Sequence, residues 1–165
     1  MTEARALIAM GVSGSGKTTV GELLAEHYDW PFFDADDFHP KENVEKMAQG
    51  TPLNDDDRKP WLERLNKLLG EHLERGDSVV LACSALKQSY RDLLSVGNDG
   101  VQFIYLQGSY DLILARMQAR AGHYMKADML KSQFKTLEEP VDALTVSIDA
   151  DPEAIAAQIV EALEK

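Results

Sequence analysis

Apolar and polar positions along this chain fall into blocks whose period changes from one block to the next. Ala6 to Met10 is a short apolar run, suited to a buried strand. After it, Val20, Leu23, Leu24, His27 and Tyr28 recur at helical spacing and share one face. Trp30-Pro31-Phe32-Phe33-Asp34 reads as a second strand. Pro40 opens a helix, as proline is tolerated in the first turn. That helix runs to about Gln49, where Gly50-Thr51-Pro52 stops it. Asn54 to Asp57 offers an N-cap and first-turn acids to the next helix, whose apolar stripe is Leu62, Leu65, Leu69 and Leu73 and which Gly76-Asp77 breaks. Val79 to Cys83, inside Ser78 to Ser84, is a continuous apolar run expected of a strand covered on both faces. A short helix over Lys87 to Val96, a loop at Gly97 to Gly100 and a strand over Val101 to Leu106 follow. Helix is expected from Tyr110 to Ala121, an interruption at Gly122, and helix again from Ala127 to Leu137. Leu144 to Ile148 is the last strand. Asp151 caps the terminal helix, Pro152 takes its first position, and Ile155, Ile159 and Leu163 face inward. Five strands alternating with helices predict an α/β domain with a parallel sheet.

Composition narrows the class. The chain has 165 residues and is 44% hydrophobic, which fits one domain with a real core. No apolar run is long enough to span a membrane. Met1 to Arg5 lacks a signal-peptide pattern, and one cysteine, Cys83, allows no internal disulfide. A cytoplasmic protein is the expectation. The formal net charge of −11 argues against a general nucleic-acid binder. An anionic ligand must therefore be captured by individual Lys and Arg side chains.

The segment Gly11-Val12-Ser13-Gly14-Ser15-Gly16-Lys17-Thr18 fits G-x-x-x-x-G-K-[ST], the phosphate-binding P-loop. It lies where the chemistry needs it, between a predicted strand and a predicted helix. Its glycines let backbone N–H groups turn into one concavity that accepts phosphate oxygens. The helix starting near Gly16 adds its positive end. Lys17 is expected to reach the β- and γ-phosphates of ATP, and the Thr18 hydroxyl to ligate Mg²⁺. A Gly/Ser-rich turn with a chance lysine would not explain the flanking strand and helix.

Further clusters surround this motif in sequence. Asp34, Asp36 and His39 follow the second strand, at the carboxyl end where open α/β sheets place ligands. Two carboxylates there can hold Mg²⁺ and orient an acceptor hydroxyl. Capping of the next helix is the plainer alternative, above all for Asp37. In Asn54-Asp55-Asp56-Asp57-Arg58-Lys59-Pro60-Trp61, three acids beside Arg58 look like a held arginine, whose fork suits a carboxylate or several hydroxyls. A solvated helix start accounts for that stretch about as well. Cys83-Ser84-Ala85-Leu86-Lys87, with Tyr90-Arg91, follows the third strand and carries no Walker-B acid, so the metal would depend on Thr18 and Asp34. Cys83 reads as a small buried apolar residue. Arg116 and Arg120 share a helix face before Gly122 and could close over a transferring phosphate. A cationic helix end would look the same.

Taken together, GVSGSGKTT, FFDADDFHPKENVEKMAQGTPLNDDDRKPWL, CSALKQSYRDLL, FIYLQGSYDLILARMQARAGHYM and the later MLKSQF and TLEEP segments resemble gluconate kinases of the small P-loop type. The resemblance covers nearly the whole chain, and HPKEN, GTPLNDDDRKPWL and CSALK are far more specific than the P-loop. It implies a three-layer P-loop fold of the nucleoside- and nucleotide-kinase kind, with a lid around 116–130, commonly homodimeric. It implies ATP-dependent phosphorylation of D-gluconate at its 6-hydroxyl. On this resemblance Gly11 to Thr18 bind ATP and Mg²⁺, Asp36 polarises the acceptor hydroxyl, and Lys17 and Arg120 act on the transferring group. His39, Arg58, Lys87 and Arg91 are candidates for the polyol and carboxylate, Arg116 for the nucleotide phosphates, and Asp34 with Thr18 for the metal. Two rivals remain: another kinase of this fold, such as a shikimate kinase, and an ATP-binding switch that transfers nothing. Shikimate kinases share the P-loop and Asp-x-Asp but are not expected to carry HPKEN or NDDDRKPW, and a switch needs no polar acceptor pocket.

Overall fold

A computed structural model describes residues 4–51, 53–119 and 127–164. The described residues form five strands, β1 (Ala6–Met10), β2 (Phe32–Asp34), β3 (Val79–Ala82), β4 (Val101–Gln107) and β5 (Leu144–Ser147), in one sheet ordered β2-β3-β1-β4-β5. All four pairings are parallel. The helices are α1 (Lys17–Tyr28), α2 (Lys41–Ala48), α3 (Asp55–Glu74), α4 (Gln88–Ser95), α5 (Tyr110–Ala119), α6 (Ala127–Thr136) and α7 (Pro152–Leu163).

The central strand shows why the sheet has helices on both faces. All five residues of β1 are buried, and alternate side chains point to opposite sides. Leu7 joins a core with Leu24, Ile113, Leu130 and Ile159, from α1, α5, α6 and α7. Ala6, Ile8 and Met10 join a second core with Leu62, Leu65, Leu69 and Leu94, from α3 and α4. Each fully buried Leu or Ile contributes about 1.5–3 kcal/mol of transfer free energy. The two cores therefore clamp β1 and hold the loop at its carboxyl end.

Helix boundaries follow the expected local chemistry. Asn54 caps α3: its side chain accepts from the Asp57 N–H, and Asp57 returns a bond to the Asn54 N–H. Asp151 caps α7, with Pro152 in the first turn. Two details differ from the periodicity. The inner face of α1 is Val20, Gly21, Leu24 and Ala25, while His27 is exposed. Gly21 lets the Phe32 ring approach so closely that a Cβ would sit 2.7 Å from it, which rotates the buried stripe. The second difference is a one-turn 3-10 helix, Ala35–Phe38, directly after β2. The Asp34 side chain caps it by accepting from the Asp36 N–H, and the Trp61 indole N–H donates to the Ala35 carbonyl at 2.7 Å.

Candidate active site

The loops after β1, β2 and β3 meet at one edge of the sheet because the strands are parallel and in register. Ala82 of β3 lies between Ala9 of β1 and Asp34 of β2. The Gly11–Thr18 loop leaves β1 there and enters α1 at Lys17. Gly14 has φ +82°, and a Cβ on it would lie 2.7 Å from Met117 on α5. Any side chain there would be strained and would push the loop off α5. The Gly11 N–H donates to Ser84, which ties the loop to the end of β3. Lys17 bridges the loop, its Nζ donating to the Gly11 and Val12 carbonyls at 3.1 Å each. Burial lowers the Lys17 ammonium from its ordinary range, against the pull of Asp36, the Cys83 thiol and Asp34.

Asp34 and Asp36 stand beside this loop with different surroundings. Thr18 Oγ1 donates to Asp34 Oδ2 at 3.2 Å, and the Asp36 N–H donates to Asp34 Oδ1 at 3.0 Å. The two residues expected to share a metal are thus in direct contact through hard oxygen atoms, the donor type Mg²⁺ takes. Asp36 opens to solvent, yet surrounding protein mass and the Asp34 carboxylate raise its carboxyl above the usual range; Lys17 and His39 oppose this. Burial holds the His39 imidazole below its ordinary value, with Arg58 adding to the shift and Asp36 opposing it, so the ring is neutral at pH 7. That ring stacks on Trp61 at 4.2 Å and lies 3.3 Å from the Asn43 amide.

The third group gathers across α3 and α4. Asp55 Oδ1 accepts from the Tyr90 hydroxyl at 2.5 Å and from Lys87 Nζ at 3.1 Å, with Arg58 Nη1 at 4.0 Å. Arg58 Nη1 also donates to the Tyr90 oxygen at 3.2 Å. The Tyr90 and Lys87 bonds hold the Asp55 carboxyl below the usual range. A cavity of about 500 Å³ opens here, lined by Leu53, Asn54, Asp55, Asp56, Arg58 and Lys87. Of the three acids expected to hold Arg58, Asp55 is the one within ion-pair distance of it. Asp57 instead closes the capping box and pairs with Lys46 of α2 at 2.8 Å. A larger cavity, about 700 Å³, lies at the amino ends of the strands between Arg5, Trp30 and Ser78. It is remote from all of this chemistry.

Arg91, the remaining candidate for the substrate, is turned into the protein. It is 2% exposed, and its fork donates to the carbonyls of Ala85 and Glu138 at 2.7 Å each. Ala85 has φ 44°, an uncommon conformation for a residue with a Cβ. Arg91 therefore braces the strained loop that presents Lys87. Arg116 donates to the Ala150 carbonyl at 3.3 Å. Arg120 and the middle of the expected lid, residues 120–126, lie outside the described residues. Cys83 is buried and its thiol is pushed up to about 12, chiefly by burial, so it is an inert packing residue.

Sequence reasoning passed over several contributors. Tyr90 carries no sequence signal of a role, and its pairing with Asp55 across 35 positions leaves no local pattern. Trp61 and Asn43 were equally silent. So was Gln133 of α6, whose amide touches the P-loop at Ser13.

A P-loop against a carboxylate pair, with a polar cavity lined by Asp55, Asp56, Arg58 and Lys87, on a parallel sheet of this order, defines a P-loop small-molecule kinase. The chain matches the shikimate kinase family model over residues 13–164. It is 47% identical over 162 residues to the thermoresistant gluconokinase of Escherichia coli, covering 96% of this chain and 93% of that protein. A crystal structure of a gluconokinase from Sinorhizobium meliloti superposes with TM-score 0.82 at 40% identity, covering 99% and 98% of the two chains. An unliganded sugar kinase from Janibacter reaches TM-score 0.88 at 40% identity, covering 98% and 95%. The chain belongs to the gluconokinases, within the shikimate-kinase-like family of P-loop kinases.

Proposed function

We infer that this chain is a gluconokinase that transfers the γ-phosphoryl group of ATP to the 6-hydroxyl of D-gluconate, giving 6-phosphogluconate and ADP. The observation that carries the reading is the convergence of Arg58, Lys87 and Tyr90 around Asp55, with the His39 ring influenced by both Asp36 and Arg58. Those cationic and hydroxyl donors suit the carboxylate of a sugar acid, and the neutral His39 ring suits its hydroxyls. Backbone N–H groups of Gly11 to Thr18, with Lys17, bind the nucleotide phosphates. Thr18 and Asp34 hold Mg²⁺, which when bound neutralises phosphate charge.

Phosphoryl transfer needs an oriented nucleophile more than covalent help from the protein. Asp36 accepts the 6-hydroxyl proton as the hydroxyl oxygen bonds to the γ-phosphorus. The bond to the bridging oxygen breaks and the electron pair leaves with ADP. A carboxylate whose pKa is raised from its ordinary range is a better proton acceptor than a free aspartate. Arg120 stabilises charge on the transferring group and Arg116 meets the nucleotide phosphates; for both the support is sequence alone. The protein is further proposed to be cytoplasmic and homodimeric, the latter testable by light scattering of the purified chain.

The test is ATP consumption with gluconate, other sugar acids, shikimate and nucleotides as acceptors. Gluconate should exceed every other acceptor in kcat/KM by at least about 10², the scale of a lost set of polar contacts. Equal or faster turnover of shikimate would move the chain to the other branch of its family. ATP binding with no acceptor turned over would make it a switch.

A further inference from the structure

The contact between α6 and the P-loop is not used by the chemistry described so far. Gln133 Oε1 accepts from the Ser13 N–H at 2.7 Å, and Gln133 Nε2 donates to Ser13 Oγ at 2.9 Å. An N–H can only donate, so the amide's orientation is set by its partners. The two residues are 120 positions apart, and the carboxamide closes on the backbone and side chain of one loop residue. The same stretch of chain also reaches the acceptor side. The Glu138 N–H donates to the Leu86 carbonyl at 2.8 Å, and Glu138 Oε1 accepts from the Gln88 N–H at 3.0 Å, either side of Lys87.

We propose that Gln133 is a positioning residue for the phosphate loop: its carboxamide pins Ser13 to α6 and so sets how the N–H groups of Gly14 to Thr18 face the nucleotide. This rests on the reading of Gly11 to Thr18 as the ATP site. The Ser13 N–H is consumed by Gln133, so the phosphates are left to the N–H groups that follow. Without the clasp the loop loses its outer anchor. Ser15 N–H to the Val12 carbonyl, at 3.2 Å, and the Lys17 bridge are bonds within the loop, and the Gly11 N–H to the Ser84 carbonyl, at 3.3 Å, ties only its first residue to the end of β3. The amide touches neither reacting atoms nor the acceptor cavity. Its loss should therefore be felt in nucleotide affinity and not in gluconate affinity.

The experiment compares parent, Gln133→Met, Ser13→Ala, the double variant and Lys17→Ala, with ATP and gluconate KM measured separately and folding checked by thermal melting. Met keeps the length and apolar stem but offers no hydrogen bond. Losing two modest bonds should raise ATP KM about five- to tenfold, with gluconate KM at saturating ATP unchanged within about twofold. Ser13→Ala removes only the Oγ partner, so about two- to threefold is expected. In the Gln133→Met background it should add nothing, because the two act as one unit. Gln133→Met with parental ATP KM, or with ATP and gluconate KM raised alike, overturns the proposal while inactivity of Lys17→Ala leaves the ATP-site reading standing. A normally active Lys17→Ala protein removes both. Should Gln133→Met fail to fold, the Ser13→Ala result decides: an unchanged ATP KM is then the overturning outcome.

Discussion

Asp36→Asn separates catalysis from stability in a way that only the proposed base predicts. Asn keeps the size and one acceptor oxygen but removes the charge and the basic site. General-base catalysis contributes typically 10²–10⁴-fold, so kcat should fall by about 10² or more. Gluconate KM should change less, because His39, Arg58, Lys87 and Tyr90 remain. The stability effect has the opposite sign. Burial and the Asp34 carboxylate raise the Asp36 carboxyl in the folded state. The folded chain thus binds that proton more tightly than the unfolded chain does. The ionised form opposes folding above the folded-state pKa, and this penalty fades as pH falls through it. At neutral pH Asn removes the penalty, so the melting temperature should hold or rise. The parent should also lose kcat as pH falls through the raised Asp36 value, since only the carboxylate accepts a proton. The variant should lack that acid limb. The assays are coupled-enzyme kinetics from acid to neutral pH with thermal melting of both proteins. A variant with parental kcat, or one that loses activity only by unfolding, refutes the assignment.

The other predictions concern neighbouring groups. Asp34→Asn should raise the Mg²⁺ concentration needed for half-maximal rate while leaving gluconate KM near the parent's, as read from metal titrations. Tyr90→Phe removes the hydroxyl that bonds Asp55 and meets Arg58, so gluconate KM should rise about three- to tenfold with ATP KM unchanged, the scale of one or two hydrogen bonds. Arg91→Met should cost about 2–4 kcal/mol, from two charge-assisted bonds to backbone carbonyls, and lower the melting temperature by about 5–15 °C; a direct substrate ligand would instead change KM and leave melting alone. Arg120→Ala should lower kcat by about 10³ if that side chain meets the transferring group, with Lys restoring only part, because a point charge cannot replace the fork.

The parts of this protein that could be read from sequence are those whose physics is local. The order of strands and helices follows from apolar runs and caps, and Asn54 and Asp151 cap the helices their positions predict. The P-loop could be read because its glycines, lysine and threonine are consecutive. Asp34 and Asp36 could be placed because parallel sheets gather their carboxyl ends. The packing of Arg91 is illegible in the sequence for the opposite reason. A buried arginine and a substrate-binding arginine look alike in a string, and only the fold shows that Ala85 and Glu138, 53 positions apart, offer it carbonyls. Tyr90, Asp55 and Gln133 depend on the same kind of long-range pairing. The 3-10 turn after β2 was missed because its indole partner, Trp61, is 26 residues away.

The charge of −11 gives the acceptor cavity its logic. Both substrates are anions, and the protein's overall field repels them. At physiological ionic strength that field is screened beyond about 8 Å, so capture depends on what lies within a few ångströms. There, Arg58, Lys87 and Tyr90 are gathered on the Asp55 carboxylate without any ligand's help. Left alone, two cations this close would repel, and long side chains would spread into solvent at favourable entropy. Asp55 offsets both effects, so the cavity meets its substrate with donors already converged. It does not exhaust them: the Lys87 ammonium keeps further N–H groups, and most of the Arg58 fork is free of Asp55. A second carboxylate can therefore bind beside the first, where a neutral polyol would leave the same cations partly unmet. On the proposed reading, Asp55 is a fixed counter-ion of the pocket, and the donors it leaves over would favour an acid over a neutral sugar alcohol.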